Sequence, residues 1–350
     1  MTGVALSQEP VTVALPCLNE ASRVRAAITS LLQDPYSEHC RFLLVDGGST
    51  DGTLDIVSNT FGDRVEIIHN PRRVQAHGVN IAARIAGDSG AKYMLRADLH
   101  AIYPVPFLSV LIDTIRAQDA DSVVVPMRTL GGNAVQNAAS LIYSSWLGNG
   151  GSQHRTGTYR GWIDHGHHAL FRIDAFLKTG GYDSEFAANE DAEFDTRLVL
   201  QGGRIFMENR VQVGYTPRAT YWATARQFAR NGRFRLWTAF KTKTKLGLRQ
   251  ILPLSILPVL VLSCLASFLW PWMLAVPLIY AVALVGVALA SQRAAPVSGS
   301  TGLVARAALL AAITHISFSA GALRGAVELG LTHPQLRTRL RARQHTGTEV

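Results

Sequence analysis

The sequence predicts an α/β domain built on a doubly wound, mostly parallel sheet, followed by C-terminal membrane helices. Three observations lead there. Short apolar runs alternate with helix-periodic segments from Val11 to about Val125. Two uncharged apolar stretches follow, at 251–269 and 270–290. Charge is also partitioned: residues 1–210 hold 23 acids and 18 bases, net −5, whereas 211–350 hold 16 bases and 2 acids, net +14.

The elements follow in order. VTVALP (11–16) is a β-rich run, and Val24, Ile28, Leu31 and Leu32 then fall at helical spacing, with Asn19 as the expected N-cap. RFLLVD (41–46) reads as a buried strand ending in GGSTDG, and a helix is expected from Thr53. VEIIHN (65–70), KYMLRAD (92–98) and DSVVVP (121–126) read as further strands, with helices at 75–87 and 105–117. Their apolar character suits a parallel sheet buried on both faces, whose ligands bind at the carboxyl ends of the strands. HHALFR (167–172) and RIFMENRVQVGY (204–215) also read as strands, and 191–200 and 220–235 as helices.

The basic, apolar C-terminal third suits an anionic lipid surface, and no nucleic-acid partner is expected. Pro253, Pro258, Pro271 and Pro277 would kink the two long stretches. A third, 303–323, carries Arg306 and His315 and reads as an interfacial or bundle-facing helix. Lys241, Lys243, Lys245 and Arg249 before the first stretch, and Arg337, Arg339, Arg341 and Arg343 at the end, put both flanks inside. That requires an even number of spans. Three cysteines without metal spacing suit a reducing compartment, and the N-terminus lacks the pattern of a cleavable signal. The expected organisation is a cytoplasmic catalytic domain over 1–240, membrane-associated helices over 241–330, and a basic tail over 331–350, at the inner membrane.

LPCLNE (15–20) and VDGGSTDGT (45–53) place Glu20, Asp46 and Asp51 at two strand ends, where carboxylates can meet a ribose or base edge. Gly47 and Gly48 allow a tight turn, and Asp51 or Thr50 can cap the next helix. These runs resemble the nucleotide-binding half of family-2 glycosyltransferases of the GT-A fold. RADLHAIYP (96–104) carries Asp98-Leu99-His100 where such enzymes have Asp-x-Asp. On an extended segment residues i and i+2 point the same way, so both groups could hold one divalent cation, with imidazole favouring Mn²⁺ over Mg²⁺. The Arg-x-Asp-x-His-x-x-Tyr-Pro string resembles bacterial exopolysaccharide enzymes of the succinoglycan-biosynthesis glucosyltransferase type.

By that resemblance, Asp191 in NEDAEFDTRL (189–198) is the base that deprotonates the acceptor hydroxyl, and Glu190 is its neighbour. Adjacent carboxylates would raise each other's proton affinity. Gln227 and Arg230 in RQFARNGRFRLW (226–237) match part of a Gln-x-x-Arg-Trp element and would meet the diphosphate, although Asn231 stands where Trp is usual. Trp162 in WIDHGHHALFR is placed to stack on an acceptor sugar; there His165 and His167 share one strand face and His168 the other. Pro16 and Arg96 complete the expected substrate-binding set.

The resemblance therefore implies an inverting hexosyltransferase that uses a nucleoside-diphosphate sugar, expected to be UDP-glucose. The expected acceptor is a lipid-linked saccharide in exopolysaccharide or other cell-surface glycan synthesis. A processive polysaccharide synthase and a non-catalytic sugar-nucleotide-binding subunit are the alternatives.

Overall fold

The computed structural model describes residues 9–146, 148–149, 151–294 and 301–332. Of the expected basic tail, everything from residue 333 lies outside the described residues, including Arg337, Arg339, Arg341 and Arg343. The chain forms two compact units, one from Met1–Gly132 and Tyr143–Pro217, the other from Asn133–Ile142 and Arg218–Val350.

The first unit contains β1 (Val11–Cys17), α1 (Val24–Leu32), β2 (Cys40–Asp46), α2 (Thr53–Phe61), β3 (Val65–His69), α3 (Gln75–Asp88), β4 (Tyr93–Arg96), β5 (Ala101–Ile102), α4 (Leu108–Ala117), β6 (Ser122–Val125) and β7 (Met127–Thr129). After α5 (Ala134–Tyr143) come α6 (Gln153–Thr156), β8 (Gly161–Ile163), β9 (His167–Arg172), α7 (Ile173–Lys178), α8 (Glu190–Leu200), β10 (Ile205–Met207) and β11 (Val213–Tyr215). The second unit continues with α9 (Tyr221–Thr242), α10 (Leu248–Ala266), α11 (Ala275–Ala294) and α12 (Thr301–Thr332). Helix α9, included in the catalytic domain when the boundary is drawn at 240, belongs to this second unit.

An eight-stranded sheet runs β3-β2-β1-β4-β9-β6-β10-β8. Strands β3, β2, β1 and β4 pair in parallel, as do β6 and β10; β9 lies antiparallel between β4 and β6, and β8 antiparallel at the edge. The alternation of β1 explains the two-sided core. Val11, Val13 and Leu15 pack with Ile28, Leu31 and Leu111 on one face, while Ala14 packs with Val79, Ala82 and Ala83 of α3 on the other.

Three local expectations are corrected. Asn19 is not a helix cap: its backbone is left-handed, and its Oδ1 accepts the N–H of Thr50 at 2.9 Å, while α1 starts at Val24. The run 204–215 is two strands, β10 and β11, because the buried Glu208 carboxylate accepts the Arg210 N–H at 2.9 Å and turns the chain between them. Strand β4 ends at Arg96, so Asp98-Leu99-His100 is not extended; the Ala101 N–H bonds the Asp98 carbonyl at 3.3 Å, closing a turn.

Among the described residues of the second unit, two helices are long and apolar enough to cross a membrane, Pro271–Arg293 and Gly302–Gly330, whereas Gln250–Ala266 is shorter. The third apolar stretch, expected to be interfacial or bundle-facing, is thus long enough to span, and the first, expected to span, is not. At 1.5 Å per residue, α10 measures about 28 Å and its apolar part less than the ~30 Å hydrocarbon core. Pro258 removes an N–H from α10 and frees the Leu254 carbonyl; the Ser319 hydroxyl of α12 donates to it at 2.6 Å, and accepts from the Leu257 N–H at 3.1 Å.

Helices α9 and α12 meet backbone to backbone. A Cβ on Gly321 would lie 1.8 Å from the Ala229 carbonyl oxygen, and one on Gly232 would lie 1.9 Å from that of Phe318. Gly321 and Gly325, four residues apart, thus form a small-residue face of the kind that lets helices approach closely. Gly321→Val should separate the pair at a cost of roughly 1–3 kcal/mol or more, read as a lower thermal midpoint of the detergent-solubilised full chain. An unchanged midpoint would disprove this packing.

Candidate active site

Two loops at the carboxyl ends of β1 and β2 are laced together. The Asn19 N–H donates to Ser49 Oγ at 2.8 Å, the Glu20 N–H to Thr53 Oγ1 at 2.9 Å, and the Ala21 N–H to Asp51 Oδ2 at 3.0 Å. Asp51 Oδ1 accepts from the Thr53 N–H at 3.1 Å, but the N-cap of α2 is Gly52 and no side chain caps it, so neither Asp51 nor Thr50 is the expected cap. The side-chain hydrogen bond from Thr53, foremost, and that from the Ala21 N–H lower the Asp51 pKa.

Asp46 differs from expectation. It is 3% exposed, and it accepts from the Gly48 N–H at 2.7 Å, the Ser49 N–H at 3.0 Å and the Ser49 hydroxyl at 2.5 Å. Its carboxylate shapes the loop rather than presenting free oxygens to a ligand. Arg73, not singled out from the sequence, lies over this loop; a Cβ on Gly48 would stand 3.4 Å from its guanidinium. Pro16 sits where β1 runs on past the last residue of β4, so its missing N–H takes no hydrogen bond from that strand.

The centre of the unit is a buried ionic cluster. Arg96, the last residue of β4, pairs with Asp98 at 3.0 Å, Glu190 at 3.7 Å and Asp191 at 3.7 Å. Its Nε is buried and makes no hydrogen bond. Burial works against the Arg96 charge, but Asp98 foremost, with Tyr182, Glu190 and Asp191, raises its pKa well above the usual arginine value. Burial likewise works against the Asp98 carboxylate, yet Arg96, His100 and His168 bring its pKa down to about 2. Gln75 donates to Asp98 at 3.0 Å, and His100 stands 4.0 Å from Glu20. The turn therefore links the nucleotide-side loop to the carboxylates.

The neighbouring pair Glu190–Asp191 does not behave symmetrically, contrary to the expectation that each would raise the other. Burial and the Asp191 charge push Glu190 up to about 7. Asp191 is also buried, but its Oδ2 is 2.6 Å from His167 Nδ1, and that ring, with His165 and Arg96, carries its pKa well below the usual range. Burial keeps His167 below its ordinary pKa, so a neutral ring donates its Nδ1–H to an ionised Asp191. The other Asp191 oxygen accepts the Ala192 N–H at 2.7 Å. His165 Nδ1 lies 2.7 Å from Asp195 Oδ2, whose pKa burial raises.

Sequence spacing had put His165 and His167 on one face and His168 on the other. The first two rings touch edge-on at 4.9 Å, and His168 faces Tyr103 at 6.0 Å. It did not foretell that His167 would orient Asp191, because the two are brought together only by β9 lying beside the start of α8. His165, His167 and Asp191 offer ligand atoms within 4.8 Å of one another. Two of those three donors already share a hydrogen bond.

Trp162 stands on the edge strand β8, 45% exposed, with Arg204 stacked on it at 4.9 Å and Phe206 edge-on at 5.2 Å. Gln227 and Arg230 lie on α9 in the second unit and line a cavity there.

A pH dependence follows. A carboxyl whose folded pKa is raised binds a proton more tightly folded than unfolded, so its contribution to stability falls as pH rises between the two values. For Glu190 that window runs from about 4.5 to about 7. Between those limits the wild-type chain should lose thermal stability relative to Glu190→Gln. Parallel melting curves across the window would contradict the shift.

Comparison with known proteins shows the family and the fold. The model of glycosyl transferase family 2 matches residues 12–180. The succinoglycan biosynthesis protein ExoA of Rhizobium meliloti (strain 1021) is 39% identical over 326 residues, which is 92% of this chain and 96% of that one. The chain belongs to glycosyltransferase family 2. A diacetamido-dideoxy-glucuronosyltransferase of Methanococcus voltae that acts on dolichyl N-acetylglucosaminyl phosphate is 21% identical over 225 residues, 60% of this chain and 68% of that one. Among solved structures, the mannosyltransferase PcManGT of Pyrobaculum calidifontis, in complex with GDP-Man and Mn²⁺, superposes with a TM-score of 0.54 at 19% identity, covering 92% of this chain and 88% of that one. Staphylococcus aureus TarS 1–349 with UDP-GlcNAc gives 0.50 at 15%, covering 68% of each. As a family-2 member, the protein is a glycosyltransferase with the GT-A fold that the strand-end motifs led one to expect. Its two long apolar helices point to a membrane-associated enzyme.

Proposed function

We propose that this family-2 enzyme transfers one hexose from a nucleoside-diphosphate sugar, UDP-glucose, to a lipid-linked saccharide, with inversion. The product is a step in exopolysaccharide or other cell-surface glycan assembly. The catalytic unit faces the cytoplasm at the inner membrane. Relatives named for succinoglycan biosynthesis and for transfer to a dolichyl-linked sugar support the acceptor class. Solved neighbours hold UDP-GlcNAc or GDP-Man.

The observation that carries the reading is the ionised Asp191, held by His167 at 2.6 Å and flanked by Arg96 at 3.7 Å. Asp191 takes the proton from the acceptor hydroxyl as that oxygen attacks the anomeric carbon. His167 keeps the carboxylate ionised and aimed. Arg96 offsets the accumulated negative charge. Glu190, with its raised pKa, can hold a proton and donate a hydrogen bond to the acceptor. The loops carrying Glu20 and Asp51 bound the nucleotide side, and Trp162 offers an exposed ring to a sugar.

The donor chemistry of Asp98 and His100 fits a divalent cation: an ionised carboxylate and an imidazole on one turn suit Mn²⁺ better than Mg²⁺. A bound cation would supply charge neutralisation for the leaving diphosphate.

Purified full-length protein with a donor panel and membrane extract, with Mn²⁺ or Mg²⁺, tests the reading. Release of UDP from UDP-glucose, faster with Mn²⁺, is expected, with single-sugar products. Long polymer would favour a processive synthase. No nucleoside diphosphate from any donor would leave only a sugar-nucleotide-binding subunit, and equal turnover with the two metals at matched occupancy would overturn the Mn²⁺ preference.

A further inference from the structure

The second unit holds a cavity of about 610 Å³ between α9 and α12. Five arginines line it: Arg218, Arg226, Arg230 and Arg233 on and just before α9, and Arg324 on α12. Ala223, Ala229 and Gly321 also line it. The carboxylate described beside these arginines is Glu328, which pairs with Arg233 at 2.6 Å and Arg324 at 2.9 Å. It is one of only two acids after residue 210. Arg218, Arg226, Arg230 and Arg324 are exposed, so the concave arginine-lined wall presents a positive field that draws an anion. Arginine also matches phosphate geometry, donating paired N–H groups to two oxygens.

The position says where that anion comes from. Arg324 and Glu328 lie near the C-terminal end of Gly302–Gly330, a helix apolar and long enough to cross a membrane. The close glycine packing of α9 on α12 fixes the two arginine-bearing helices against each other beside that end. Basic pockets between membrane helices near the lipid boundary bind phosphate headgroups.

We propose that the α9–α12 cavity binds the phosphate group of a membrane lipid, either a bulk anionic phospholipid or the phosphorylated carrier of a saccharide acceptor. This assigns Arg230 and Gln227 to a lipid phosphate rather than to the donor diphosphate. The inference needs only the cavity, so it stands or falls separately from the transfer reading.

Native mass spectrometry of the full chain in neutral detergent tests it. The wild type should retain phosphatidylglycerol at least about tenfold more strongly than phosphatidylcholine. R226Q/R324Q, which removes one arginine from each wall, should lose about tenfold or more of that retention, and R226Q alone about fivefold, in case the double variant fails to fold. K243Q/K245Q removes the same charge outside the cavity and should change retention less than about twofold. A polyprenyl diphosphate that displaces phosphatidylglycerol identifies the carrier as the source; the reverse order identifies bulk phospholipid. Unchanged retention in R226Q and R226Q/R324Q, an equal loss in K243Q/K245Q, or inorganic diphosphate binding as tightly as lipid each overturns the proposal. Donor hydrolysis by the wild type, measured alongside, reports on the transfer reading and not on this one.

Discussion

Asp191→Asn is expected to lower hexose transfer by about 10²–10⁴-fold, the usual worth of a positioned general base. The substitution is nearly isosteric, and its amide oxygen can still accept the His167 Nδ1–H, so the 2.6 Å contact can persist. Donor affinity, measured by calorimetry with the nucleotide sugar, should therefore stay near wild type. The split between lost turnover and intact binding is the diagnostic. Near-normal transfer would remove Asp191 from the role of base and leave Glu190, whose pKa near 7 makes it the other group in reach of a neutral-pH proton transfer.

Arg96→Met should be the most damaging single change to the first unit. Three carboxylates share that guanidinium, at 3.0, 3.7 and 3.7 Å. Removing one partner of a buried ionic cluster costs about 3–5 kcal/mol, because the remaining charges stay desolvated without compensation. The sign with pH is definite. Asp98 has a depressed pKa, so its stabilising contribution is present above about 3.8 and lost as pH falls toward about 2. In the variant that contribution disappears, so the deficit relative to wild type should widen from about pH 2 to about pH 4 and stay level above it. Thermal midpoints of both chains at those two values decide it; a pH-independent gap would mean that Arg96 acts through packing alone. Arg96→Lys should recover part of the stability but not the shared geometry, since an ammonium cannot donate from a planar fork.

Much of the fold was legible because its signals are local. The alternation in β1 puts Val11, Val13 and Leu15 on one face and Ala14 on the other, and any apolar run of that length between helix-periodic segments reads the same way. The run 204–215 misled because the turn inside it depends on Glu208, a buried carboxylate satisfied by Arg210 within the run and by Arg160 and Thr114 from elsewhere in the chain. The third apolar stretch was underrated for its polar residues, yet α12 covers part of its length with α9 and α10. Ser319 on it completes the backbone of α10, a purpose no hydropathy count registers.

The candidate site divides along the same line. Sequence alone determined which residue types stand at the strand ends: the Asp98-Leu99-His100 departure, the Glu190–Asp191 pair and the three histidines at 165–168. It also determined the partition of charge that sets a basic, apolar C-terminal third against an acidic first part. Only the tertiary structure decided how those groups act on one another. It folded Asp98 into a turn instead of a strand, spent the Asp46 carboxylate on its own loop, and laid His167 against Asp191, so that two adjacent carboxylates titrate in opposite directions. The physical reason is that ionisation depends on desolvation and on charges within a few ångströms, and the elements that bring those charges together are distant in sequence: β4 ends some 70 residues before β9 and some 90 before α8, and His167 and Asp191 are 24 residues apart.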